Sequence, residues 1–66
     1  MFRNLDAEQS RYGLSNADVA DKLGIHRNTY ENKKKEGGFT RLEIITLLKL
    51  FDCKFEYLFQ TKDDTN

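Results

Sequence analysis

Gly24 stands between two segments of opposite character, and that junction limits the fold more than any other feature of the chain. On its N-terminal side Leu14, Val19, Ala20 and Leu23 recur at helical spacing. Ser15 and Asp18 precede them as a variant capping box, in which each side chain satisfies a free backbone donor of the first turn. The pattern predicts a short helix over 16–23. On the other side of Gly24, residues 27–35 are polar except for Tyr30, so a helix there can hold only a thin contact with a core. Glycine accepts a positive φ without a Cβ clash, which a tight turn between two such helices requires.

The remaining segments keep the same period. Phe2, Leu5, Gln9 and Tyr12 mark a first helix, and Gly13 stands where a left-handed residue commonly ends one. Gly37 and Gly38 close the polar helix. Thr40 and Glu43 form a second capping box, followed by Leu42, Ile44, Ile45, Leu47, Leu48, Leu50 and Phe51. That fourth helix has almost no polar face and is expected to be the central buried one. Phe55, Leu58 and Phe59 predict a short fifth helix. The expected fold class is all-α, with five helices in one domain over residues 1–61 and a polar, fraying tail over 62–66. No strand, repeat, proline-rich linker or low-complexity tract is visible.

A chain of 66 residues makes one compact domain, too small to wall a deep catalytic cleft alongside its own core. No nucleophile, base and orienting group can be assembled from these residues, so an enzyme is not expected. His26 is the one histidine and has no Cys, His or carboxylate at metal spacing, so neither a metal nor a cofactor is expected. The single cysteine, Cys53, cannot form an internal disulfide. Ile44–Phe51 is interrupted by Thr46 and Lys49 and is too short to cross a bilayer, and no signal peptide is visible, so a cytoplasmic location without membrane attachment is expected.

Eleven basic and eleven acidic residues cancel, so only the distribution of charge is informative. Arg27, Lys33, Lys34, Lys35 and Arg41 outnumber Glu31 and Glu36 in the middle of the chain. From Phe51 onward Asp52, Glu56, Asp63 and Asp64 outnumber Lys54 and Lys62. A short anchored helix, a tight turn and a second helix polar on its exposed side is the arrangement that lays a helix into the major groove of duplex DNA. Ala20 supplies the small residue at the helix crossing, and Leu23, Ile25 and Tyr30 the wedge against the core.

The segment from Leu14 to Tyr30 resembles the Cro and phage-repressor (lambda repressor-like) family of helix-turn-helix regulators. The resemblance covers nearly the whole chain. Asn4-Leu5-Asp6-Ala7-Glu8, Asn32-Lys33, Phe39-Thr40 and Phe55-Glu56-Tyr57-Leu58-Phe59 are similar to a branch common in prophages of Gram-positive bacteria. Membership would imply a five-helix fold, helices two and three as the DNA-binding unit, operator DNA as ligand and a homodimer on a palindromic site. By position, the base readers are then Arg27, Asn28 and Asn32, whose side chains suit guanine and adenine edges. Asn16 would hold a phosphate through its side chain or its amide at the start of helix two, and His26, Lys35 and Arg41 fall beside the backbone. Glu31 in a groove-facing helix is repelled by phosphate yet can accept from cytosine N4, and it is expected chiefly to orient Arg27.

The family often pairs an Arg of helix one with a Glu late in helix three, and those places hold Gln9 and Lys34 here. Glu8 is therefore expected to pair with Lys33 or Lys34 instead. Tyr57 and Phe59, if exposed, would form the dimer surface. The rival expectation is the same fold used as a protein-interaction module without DNA binding, which zero net charge and the acidic tail favour.

Overall fold

The computed structural model describes residues 2–61, which form five α-helices: α1 (Arg3–Arg11), α2 (Asn16–Leu23), α3 (Arg27–Glu36), α4 (Arg41–Phe51) and α5 (Phe55–Leu58). No strand occurs among the described residues, and the tail expected at 62–66 lies outside them.

Local signals set the helix ends where the sequence places them. Ser15 Oγ accepts from the Asp18 amide at 3.1 Å while Asp18 returns a carboxylate to the Ser15 amide at 2.9 Å. Thr40 and Glu43 repeat the exchange at 3.2 and 2.9 Å. Each box satisfies two donors that a helix start would otherwise leave free, a gain of about 1 kcal/mol per cap. At the junction, Gly24 sits at φ 71°, which lets the Ile25 amide reach back to the Ala20 carbonyl at 3.0 Å and turn the chain in three residues from α2 to α3. α4 ends in the same way with the Cys53 amide on the Leu48 carbonyl, but there the left-handed residue is Asp52 at φ 51°.

Every helix contributes to the core: Leu5, Val19, Ala20, Tyr30, Leu47, Phe51 and Leu58 are buried. Ala20 is buried on α2, and α2 packs on α3 more extensively than any other helix pair meets. Beside this core Phe2, Phe39 and Phe59 form a triangle of tilted and edge-on rings with centroids 5.5–6.0 Å apart. α4 departs from expectation. It buries Glu43, Leu47 and Phe51 along one stripe, while Leu42 is 76% exposed and Ile45 also faces outward. Five short helices surround too small a volume to enclose one of their number on all sides, so its hydrophobicity exceeds its burial.

Glu8 also departs from expectation. Its buried carboxylate accepts from the Tyr57 hydroxyl at 2.9 Å and from Arg11 at 3.4 Å, and it meets neither Lys33 nor Lys34. The reason lies in direction: Glu8 faces α5, whereas Asp6 and Gln9 face α3. Asn4 adds a donor to the Tyr57 carbonyl at 2.8 Å and to Gln60 at 3.2 Å, so a four-residue helix is held by side chains of α1.

Candidate functional site

Tyr30 fixes α3. It is the one buried residue of that helix, with its ring against Phe39 at 6.1 Å and its hydroxyl donating to Gln9 Oε1 at 2.7 Å. Burial, assisted by the charge of Asp6, pushes its phenol well above the ordinary tyrosine value, so it stays a neutral donor. With that side pinned inward, Arg27, Asn28, Asn32 and Lys35 lie on the outer side of the helix. The side-chain amides of Asn28 and Asn32 have no hydrogen-bond partner among the described residues. His26 is committed differently: its Nδ1 accepts from the Asn28 amide at 3.3 Å and caps α3.

Glu31 holds Arg27, as the i,i+4 spacing predicts, with Nη1 to Oε2 at 3.0 Å. The same Oε2 accepts from Asn16 Nδ2 at 3.1 Å. Asn16 in turn accepts, on Oδ1, from Gln9 Nε2 at 3.0 Å and Lys34 Nζ at 2.8 Å. The Asn16 side chain is therefore consumed inside a network joining α1, α2 and α3, and what it leaves toward solvent is its backbone amide at the first position of α2, a donor without an intrahelical partner.

Lys34 completes the network. Its ammonium donates to Asp6 at 2.6 Å, to Asn16 at 2.8 Å and to Gln9 at 3.3 Å, and lies 5.0 Å from the centre of the Tyr30 ring. All three of its donors are engaged, which makes burial of the charge tolerable. The side chain is 14% exposed. Lys34 is thus held by the side chains of Gln9 and Asn16 and by one carboxylate. Nothing in the sequence points to Asp6, the acidic partner 28 residues away.

Lys33 is also withdrawn from the surface, paired with Glu43 at 2.7 Å. Burial alone would raise the Glu43 carboxyl, but hydrogen bonds from Lys33 and from the Thr40 amide and hydroxyl outweigh it and hold the group below the ordinary glutamate range. No periodicity in the sequence announces this pair, because it joins separate helices. Three of the five cations counted between Arg27 and Arg41 therefore have carboxylate partners, and Lys35 and Arg41 are the two that remain exposed without one among the described residues.

Between these groups lies an open cleft of about 290 Å³ lined by Asp6, Asn16, Glu31, Asn32, Lys34 and Lys35. Its wall presents donors and acceptors from α1, the start of α2 and the outer side of α3. Arg41, at the start of α4, does not line it. Cys53 is half-buried and its thiol donates to the Phe51 carbonyl at 3.2 Å. Burial, then the charges of Glu8 and Asp52, push that thiol up, so it is not a thiolate at neutral pH. No group of three or more potential metal ligands occurs among the described residues, and no helix among them is long and apolar enough to cross a membrane. Comparison with protein-family models, curated proteins and solved structures found no match to this chain.

Proposed function

We propose that the chain is a lambda repressor-like helix-turn-helix regulator of transcription that binds operator DNA with α3 in the major groove. The observation that carries this reading is the division of α3 into a pinned and a presented side. Tyr30 anchors the helix, while Arg27, Asn28 and Asn32 stand together on the outer side, following a tight turn at Gly24. Arg27 has guanine-reading chemistry and the two asparagines have adenine-reading chemistry. Lys35, Arg41 and the open amides at the start of α2 have the chemistry that holds phosphate. In this reading His26 serves the backbone contact indirectly, by fixing the first turn of α3.

The protein would act in the cytoplasm as a homodimer on a two-fold operator, since one small domain makes few base contacts. Phe55 and Tyr57 are the exposed aromatic residues of α5 available to such an interface, whereas Phe59 is half-buried against Phe2 and Phe39.

The test is selection of bound sites from a random duplex library, followed by titration of variants at several salt concentrations. Arg27→Ala or Asn28→Ala is expected to cost roughly 1–3 kcal/mol on the selected site and to relax particular base pairs. Lys35→Ala or Arg41→Ala is expected to weaken all duplexes alike and to flatten the log-log salt slope by about 0.9 for each phosphate no longer neutralised. Binding of both base-reading variants at parental strength would end this reading.

One observation favours a second reading, a protein-interaction module of the same fold: Arg27, Lys33 and Lys34 all have carboxylate partners, so the field over α3 is weaker than its composition implies. A chain of this kind would show no salt-dependent binding to any duplex.

A further inference from the structure

Arg27 and Glu31 are joined head to head, and their free valences point to a joint task. Glu31 Oε2 takes both hydrogen bonds of the network, from Arg27 and from Asn16, which leaves Oε1 without a partner among the described residues. Arg27 spends only Nη1 on the pair and keeps Nε and Nη2. Both side chains reach the surface, Arg27 at 56% and Glu31 at 36% exposure. Their head groups meet at 3.0 Å, a separation comparable with the roughly 3.4 Å rise between stacked base pairs, so the two heads can serve neighbouring pairs.

We infer, building on the proposed DNA binding, that Arg27 and Glu31 read as one unit, taking a guanine and the amino group of a cytosine at the next base pair, with Asn16 as the positioning residue behind them. The chemistry selects the second base. A carboxylate only accepts, so guanine O6 and N7 and thymine O4 repel it, and adenine offers N6 beside the acceptor N7. Cytosine presents N4 alone. The two donors on Oε2 offset the repulsion that a carboxylate would otherwise meet from phosphates, and they fix the direction of Oε1. Asn16 is suited to this because its own acceptor is held by Gln9 and Lys34, so its amide nitrogen faces Glu31.

The experiment uses the full chain and the same random duplex library, with two near-isosteric variants checked for parental unfolding temperature. The parent should enrich guanine with cytosine at the adjacent pair. Glu31→Gln should lower the cytosine preference at least about fivefold and replace it with adenine, which glutamine can pair with bidentately. Asn16→Asp keeps the acceptor for Gln9 and Lys34 but removes the donor to Glu31. It should weaken both preferences at least about fivefold, while Lys35→Ala lowers all duplexes together. In the free protein, Asn16→Asp should also increase the mobility of the Arg27 Nε–H measured by nitrogen relaxation. A selected operator without cytosine beside guanine, an unchanged preference in Glu31→Gln, or unchanged Arg27 mobility in Asn16→Asp would overturn the inference while leaving DNA binding intact. Selection of no sequence at all would overturn both.

Discussion

The Tyr30–Gln9 hydrogen bond separates the worth of a buried contact from the cost of stranding one of its partners. Tyr30→Phe removes the donor, yet Gln9 Oε1 still receives Lys34 at 3.3 Å, so no buried acceptor is orphaned. The cost is the net value of one hydrogen bond, about 1 kcal/mol. Gln9→Leu keeps the volume but leaves the fully buried Tyr30 hydroxyl with nothing to donate to, since Gln9 is the acceptor it reaches. That adds the desolvation of an unsatisfied group, for a total of roughly 2–3 kcal/mol, while Lys34 retains Asp6 and Asn16. In a domain of this size each kcal/mol lowers the midpoint by roughly 4–8 °C. The double variant strands no hydroxyl and should be more stable than Gln9→Leu alone, although it carries one more substitution. Urea and thermal unfolding of the four proteins, followed by circular dichroism, give the comparison. Equal costs for the two single variants, or strict additivity in the double, would refute the reasoning.

Further outcomes follow from other contacts. Because Glu43 is held below its ordinary value in the fold, the stability it supplies is present above the ordinary glutamate range and falls as pH drops through the folded value. Glu43→Gln should cost roughly 2–4 kcal/mol at about pH 7 and flatten the acid limb of a stability-against-pH curve; an unaltered limb would contradict this. Asp52→Gly should raise stability by about 1 kcal/mol in urea titration, because Asp52 occupies left-handed backbone at φ 51°. Lys34→Met should cost no more than about 2 kcal/mol in the same titration, since Asp6 is 59% exposed and rehydrates while Gln9 and Asn16 keep other donors. A Glu8–Lys33 double-mutant cycle should show no coupling, whereas Glu8 with Tyr57→Phe should couple by about 1 kcal/mol.

The elements legible in the sequence were those specified by neighbours. Two capping boxes, Gly24, and apolar residues at a period near 3.6 located helix starts and ends to within a residue or two. The i,i+4 pair of Arg27 and Glu31 was readable for the same reason. Contacts between helices were not. Lys33 and Lys34 count in the sequence toward a basic middle of the chain, but α3 places them at its inner margins, where Glu43 and Asp6 receive them. Charge counted along the chain says nothing of which charges meet after folding. The partner of Glu8 is not legible because adjacent residues on a helix point about 100° apart, and the step from Glu8 to Gln9 changes the facing helix from α5 to α3. α4 was overburied in expectation because composition reports how apolar a segment is, not how many layers exist to cover it.

The attachment of α5 to α1 has a kinetic meaning. Its polar bonds span 49 to 56 residues, the widest separations among the side-chain hydrogen bonds of the described residues, so they close nearly the largest loop this chain can make. The entropy of that closure must be given up before Leu58 or Tyr57 returns any stabilisation. Until it is, Glu8 lacks its hydroxyl donor and the core lacks one wall, so α1 to α4 are without part of their stabilisation. Folding should therefore proceed as a single event, with opening of the last helix and unfolding of the whole structure occurring together. Native-state hydrogen exchange would then find amides of α5 opening no more readily than those of α4.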